Sequence, residues 1–306
     1  MSNPIQEDLS TSWLSCMRRG DYDMAWKNSD AVLRLRAGIT CWHLPRHVQW
    51  IWNGEPLHGK RVLVRCYHGL GDTIQFIRYM HLLKAIAAKV IVWAQAPLIP
   101  LLKTIEGIDE LLPLHDGTPE AQYDADVEIM ELPHIFRTTL GSIPASIPYL
   151  RVEPAPLMPN KEAFKVGLVW KAGDWDERRS IPFSMFYPLA GISRVQFYIL
   201  QSNAQDAGWN GEFGSYLGEH SLPEYARIVR AMDLLISVDS MPVHLAGAMD
   251  VPVWTLLHAD ADWRWMEKRE DSPWYPTMRL LRQEHPGEWM PVIEKAAAKL
   301  EKTTQS

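Results

Sequence analysis

The 306-residue chain is poor in cysteine, in phenylalanine and in basic charge, and it has no long apolar run. Its three cysteines, Cys16, Cys41 and Cys66, are widely spaced and form no CxxC pair. That count excludes a disulfide framework and fits a reducing compartment. There are 31 Lys and Arg against 37 Asp and Glu, a net charge of −6 with His neutral. A general nucleic-acid binder needs clustered cations, so nucleic acid is excluded as a partner. No stretch approaches the ~18–20 apolar residues of a membrane span. Residues Met1–Ser12 are polar and lack the basic and apolar regions of a signal peptide. A cytoplasmic protein is expected, with peripheral membrane contact left open.

What is present is an ordinary globular composition, 47% hydrophobic and 22% charged. The length suits two domains or one large one. The oddity is 14 Trp beside only 7 Phe. Trp offers a flat apolar face and one N–H donor, which serves ring stacking as well as plain cores.

Residues 1–59 read as a helical leader. Ser12–Arg19 and Asp23–Arg36 carry apolar residues at helical spacing and are separated by the break Gly20-Asp21-Tyr22. The pair resembles one tetratricopeptide unit, and a lone unit cannot form a solenoid. Strand–helix alternation begins at Arg61. Arg61–Cys66, a helix over Thr73–Ala87 and Lys89–Trp93 form a strand–loop–helix–strand unit, the signature of parallel α/β structure. Arg151–Lys161, with Pro154, Pro156 and Pro159, reads as a linker. The alternation restarts with strands at Lys165–Trp170, Val195–Gln201, Leu234–Val238 and Val251–Leu257, helices at Leu222–Met232 and Pro242–Met249, and a terminal helix over Glu288–Glu301. The resulting domains are the leader at 1–59, an N-terminal α/β lobe at 60–155 and a C-terminal α/β lobe at 156–306.

Ligands of open parallel sheets sit beyond the carboxyl ends of the strands. Three loops occupy such positions. In His68–Thr73, Gly69 and Gly71 allow close backbone approach, and Asp72 reads as the N-cap of a helix starting at Thr73. The loop lacks the third Gly of GxGxxG, no acid ends the next strand, and no GK[ST] follows, so neither a nicotinamide site nor a P-loop fits. In Lys171–Ser180, the cations Lys171, Arg178 and Arg179 could clamp a diphosphate, or could pair with the loop's own acids. In Asp239–His244, Ser240 and Pro242 suit a helix start whose N–H groups favour phosphate, and His244 is either an added donor or a structural residue. The motif DxD occurs four times, at Asp21, Asp124, Asp174 and Asp260, and has little specificity. No metal site is expected.

Several stretches resemble a known family. WNGEPLHGK at Trp52–Lys60 and HGLGDTIQFIRY at His68–Tyr79 are similar to the start of a GT-B glycosyltransferase-like domain often found behind tetratricopeptide repeats in bacterial proteins. In order follow GLVWK (Gly167–Lys171), RSI (Arg179–Ile181), VDS (Val238–Ser240) with HLAG (His244–Gly247), DWRW (Asp262–Trp265) and REDSPWYPTMR (Arg269–Arg279). The resemblance spans about Trp52 to Leu300. The wider relation is to glycosyltransferase family 9, the ADP-heptose:lipopolysaccharide heptosyltransferases, and more distantly to O-linked N-acetylglucosamine transferases.

The resemblance implies a GT-B fold, two Rossmann-like lobes facing across a cleft. It implies sugar transfer from a nucleotide-diphosphate donor to an acceptor hydroxyl, inverting and without a metal or other cofactor. Asp72 falls at the position of the proposed general base. Asp239, Ser240 and His244 fall in the segment that cradles the donor diphosphate, and Lys171 matches the family's basic residue loosely; Arg178 and Arg179 join them as phosphate candidates from the loop's composition. The sequence departs from the family at Met241, where a Gly is usual, and at His68, where close relatives carry Gln. The acceptor is a saccharide, a lipid-linked saccharide or a protein. A catalytically weak GT-B binding module and a nucleotide-sugar epimerase are the alternatives.

Overall fold

The computed structural model describes residues 4–157 and 163–305. Pro159 and Lys161 of the expected linker lie outside them. The leader forms two helices, α1 (Pro4–Arg19) and α2 (Tyr22–Leu35). Gly20 makes the turn between them at φ +79°, and Asp21 caps α2 by accepting from the Met24 N–H at 3.2 Å. The first helix begins earlier than apolar spacing indicates, because its first turns are polar.

The first sheet has four parallel strands: β1 (Arg61–Arg65), β2 (Lys89–Ala94), β3 (Glu110–Pro113) and β4 (Ala125–Glu128), in the order β3-β2-β1-β4. Its strands β1 and β2 are β-branched and almost wholly buried. The helix expected over Thr73–Ala87 is instead α3 (Leu70–Phe76), a 3₁₀ turn at Ile77–Tyr79, and α4 (Met80–Ile86). Short helices α5 (Ile99–Leu102) and α6 (Leu132–Ile135) follow β2 and β4.

The second sheet has six parallel strands: β5 (Phe164–Val169), β6 (Val195–Ile199), β7 (Ser215–Tyr216), β8 (Leu234–Val238), β9 (Val253–Leu257) and β10 (Met278–Arg282). Their order is β10-β9-β8-β5-β6-β7. Counted within the sheet this is 3-2-1-4-5-6, the doubly wound order of dinucleotide-binding folds, with its switch point between β5 and β8. Helices α7 (Tyr187–Ala190), α8 (Leu222–Arg230), α9 (Met241–Ala248) and α10 (Met290–Gln305) accompany it. The core joins Val166, Leu168, Ile236, Val238 and Leu256 of the sheet to Phe186, Ile293 and Leu300.

Two units result. The first is Met1–Tyr149 with Asp262–Lys268; the second is Leu150–Ala261 with Arg269–Ser306. The leader is thus part of the first unit. Asp262–Lys268, placed with the C-terminal lobe by sequence position, also belongs there: the Glu267 N–H donates to Arg18 O at 2.8 Å, and Trp263 sits edge-on to Trp13. The start of the expected linker belongs to the second unit, where the Ala155 N–H donates to Arg227 O at 2.8 Å.

Candidate functional sites

In the first unit the switch point lies between β1 and β4, and the loop Cys66–Gly69 leaves β1 there. Asp72 is not the N-cap. Helix α3 starts at Leu70, so Asp72 is its third residue, and its Oδ2 accepts from the Gly69 N–H at 2.9 Å. Gly69 has no side chain to return the bond, so only half of a capping box exists. A methyl at Gly69 would lie 3.1 Å from Asp72 Oδ2, which makes glycine the residue that admits this contact. Gly71 lies within α3 rather than in an open loop.

The other oxygen of Asp72 meets a residue 192 positions away. Arg264 Nη2 donates to Asp72 Oδ1 at 2.5 Å, Nε to Gln75 Oε1 at 2.8 Å, and Nη1 to Asp262 Oδ1 at 2.8 Å. The guanidinium lies 4.7 Å from the Trp263 ring and 5.4 Å from that of Phe76. The Arg264 side chain is only 8% exposed. A cation so buried must have its charge and donors matched, and two carboxylates and an amide do this. Glu128, which ends β4 and is 3% exposed, receives His68 Nδ1 at 2.9 Å and the Met130 N–H at 2.7 Å. Burial opposes the charged imidazolium, but the Glu128 carboxylate outweighs it, and the His68 pKa is raised. The first loop therefore presents a carboxylate held by arginine and an imidazole held by a carboxylate.

In the second unit the loops after β5 and β8 meet at the switch point. Arg179 is buried, donates through Nη1 to the carbonyl of Asp239 at 3.0 Å, and stacks 4.3 Å from the ring of the exposed Trp175. Its Nε is buried with no hydrogen-bond partner among the described residues. Ser240 is the N-cap residue of α9, and its Oγ donates to Val238 O at 3.2 Å rather than to the helix. The N–H groups opening α9 thus lie just beyond Asp239. Lys171 is exposed at the end of β5, its N–H donating to Gln201 Oε1 at 2.8 Å.

The cationic clamp is narrower than its spacing implied. Arg178 is 62% exposed and held in a fork by Asp176, with Nε and Nη2 both at 2.9 Å, and it reaches Asp260 at 3.4 Å. His244 is buried in α9, with Nδ1 3.0 Å from the Tyr275 hydroxyl. Of the six residues, Arg179, Asp239 and Ser240 come together, Lys171 flanks them, and Arg178 and His244 are engaged elsewhere. In the DxD repeats, Asp21 caps a helix, while Asp124, Asp126, Asp176, Asp260 and Asp262 pair with arginines. Among the described residues no three His, Cys, Asp or Glu gather to hold a metal.

Two parallel α/β units with ligand-type loops at both switch points define a class, the GT-B folds. Comparison narrows it. Residues 203–285 match the family model described as glycosyltransferase family 9 (heptosyltransferase). Protein FlbA of Caulobacter vibrioides is 26% identical over 296 residues, covering 81% of this chain and 48% of that protein, so the chain spans about half the length of this relative. Among solved structures, a family 9 glycosyl transferase from Veillonella parvula aligns with a TM-score of 0.58 at 14% identity, over 82% of this chain and 98% of that one. Escherichia coli ADP-heptose lps heptosyltransferase II aligns at 0.55 and 15% identity, over 79% and 99%. E. coli heptosyltransferase WaaC with ADP-2-deoxy-2-fluoro heptose aligns at 0.51 and 14% identity, over 80% and 100%. At such identities the likeness establishes the fold. The family match adds homology support for a glycosyltransferase.

Arg264, Glu128 and Gln75 escaped the motif reading. Arg264 stood inside the family-like DWRW, and its position between two Trp was the available signal. Glu128 ends a strand too short and too polar to be marked by periodicity.

Proposed function

We propose that the protein transfers a sugar from a nucleoside-diphosphate donor to an acceptor hydroxyl, with inversion and without a resident metal. Arg179 carries this reading. A buried guanidinium N–H without an acceptor costs about 1–3 kcal/mol, and a phosphate oxygen is the acceptor its charge favours. Arg179 stands at the switch point beside the start of α9, whose partial positive charge favours an anion. Lys171 adds charge at the same strand end, while Arg178 and His244 support the loop and helix that carry the site. In the step itself the acceptor oxygen bonds to the anomeric carbon, the bond from that carbon to the diphosphate oxygen breaks, and the electron pair leaves with the diphosphate. The acceptor proton passes to Asp72, whose orientation Gly69 and Arg264 fix. Cations and helix N–H groups stabilise the leaving group in place of a metal. We place this chemistry in the cytoplasm, in keeping with three free, buried cysteines. The α1–α2 hairpin is read as a tetratricopeptide-like element.

A thermal-shift screen of nucleoside diphosphates and nucleotide sugars tests the donor site. A true ligand at 100 times its Kd stabilises by about 2.7 kcal/mol. The shift should vanish in Arg179→Gln, and a chain that no nucleotide stabilises refutes the donor site. The double engagement of Asp72 favours a second reading, a module that binds without transferring. Asp72→Asn decides: lost transfer with intact nucleotide binding supports catalysis, and unchanged transfer removes Asp72 as base.

A further inference from the structure

The first unit holds a Trp cluster around a cavity of about 240 Å³. The cavity lies among α1, α2, the strap before β1 and the segment after β4. Trp13, Trp26, Trp50 and Trp52 line it, together with Arg36 and Glu131. The indole N–H of Trp26 donates to Thr138 O at 2.6 Å and that of Trp52 to Glu55 O at 2.9 Å, so both rings spend their donors on backbone and keep carbon for the wall. Arg36 lies 4.4 Å from the Trp50 ring. The Glu131 carboxyl accepts from the N–H groups of Ile51, Trp52 and Glu128 at 2.8–3.2 Å, which fixes it in place. Burial pushes its pKa up to about 7 despite those donors, so near neutrality it can accept or donate a hydrogen bond.

We propose that this cavity is a saccharide subsite holding one pyranose ring of the acceptor. The inference rests on the glycosyltransferase reading. Three observations carry it. The wall sets four Trp rings and fixed polar groups beside Leu9, Val32, Leu33 and Met130, a mixture that suits a ligand with apolar ring faces and hydroxyls. The size admits a single ring: it exceeds the roughly 150 Å³ that takes up benzene and falls below the ~300 Å³ at which drug-sized sites begin. The location adjoins the chemistry of the same unit. Met130 lines the cavity and its Sδ lies 3.9 Å from Arg264 Nη2, the nitrogen that holds Asp72. Trp13 lines it and touches Trp263 at 5.5 Å between ring centres.

Saturation-transfer NMR on the full chain, with methyl glucoside, methyl galactoside and N-acetylglucosamine as probes, tests the subsite. At least one probe should receive saturation at its ring protons. Ser29→Phe, which fills the cavity from α2, and Trp50→Ala, which removes a wall, should each weaken that binding about tenfold, the loss of one ring contact worth ~1.4 kcal/mol. Nucleoside-diphosphate binding should stay unchanged in both, which also reports that each variant is folded; should Ser29→Phe fail to fold, Trp50→Ala decides alone. Saccharide binding that survives in the folded variants, or no transfer to any probe, overturns the subsite. Loss of nucleotide response with saccharide binding intact would instead overturn the donor reading.

Discussion

At the scale of single residues, the central pair is the buried Arg264 guanidinium and the half-buried Asp72 carboxylate. Removing one partner of a buried pair leaves the other's charge uncompensated, at about 3–5 kcal/mol. The carboxylates left behind, Asp72 and Asp262, stay about a quarter exposed, so Arg264→Ala should cost less than that, about 1–3 kcal/mol in urea unfolding. Arg264→Lys should not rescue it, since one ammonium cannot serve Asp72, Asp262 and Gln75 in three directions. A double-mutant cycle with Asp72→Asn should show coupling above about 0.5 kcal/mol, and additive losses would mean that the pair holds nothing. His68 offers a spectroscopic counterpart. Its imidazole should titrate above the ordinary histidine value, and Glu128→Gln should bring it down, as followed by its ring-proton NMR shifts; equal values in both proteins would contradict the pairing. Asp72 was legible in the sequence because HGLGD follows a short β-branched strand and precedes a helical pattern. Arg264 was not, because its partner lies 192 residues away and no local spacing encodes a contact of that length.

Among elements, those buried on both faces were the readable ones. Strands β1, β2, β5, β8 and β9 are runs of Val, Ile and Leu, as parallel strands covered on both sides must be. The missed strands β3, β4 and β7 are two to four residues long and only partly buried, so they lack both run and alternation; β10 was missed as well, because Arg279 and Arg282 leave only Leu280-Leu281 as an apolar run. The single helix expected over Thr73–Ala87 breaks for a reason that periodicity does not carry. Arg78 Nε donates to Gln75 O at 2.8 Å, adding a side-chain donor at a helix carbonyl next to the 3₁₀ turn, and every residue from Thr73 to Met80 is buried. Helix α9 was read almost to its ends, yet its tightest constraint is a glycine. A methyl at Gly247 would lie 2.4 Å from the Tyr275 ring, the same ring whose hydroxyl meets His244. Gly247→Ala should cost about 1–3 kcal/mol by overpacking and should weaken nucleotide binding by shifting α9. Gly191→Ala, which meets nothing within 4 Å, should stay within about 0.5 kcal/mol and serves as the control. Equal denaturation midpoints for the two variants would refute the packing argument.

For the molecule as a whole, the two units carry opposite proton linkage between about pH 5 and 8. In the first unit, burial raises Glu131 to about 7, and Glu128 raises His68 over the opposing effect of burial. Groups with raised folded values bind protons more tightly when folded. Their contribution is complete below the unfolded values, 4.5 for Glu131 and 6.5 for His68, and is lost as pH rises through the folded ones. For Glu131 alone the loss is on the order of 3 kcal/mol. His134, lowered mainly by burial, works against this within the same unit, but it titrates only below 6.5. In the second unit, His258 is lowered by burial and by Arg178. Its contribution is complete above the unfolded value of 6.5 and is lost as pH falls through the folded one. Raising the pH from 5.5 to 8 should therefore weaken the first unit relative to the second. Hydrogen exchange measured at both pH values, corrected for intrinsic rates, should show protection falling in β1, β2 and α4 more than in β5, β8 and α9. Glu131→Gln mimics the protonated side chain, so it should remove most of the difference, with its stability advantage over the natural protein growing as pH rises. Parallel pH profiles for the natural protein and Glu131→Gln would show that this carboxyl is not the group that couples the first unit to protons.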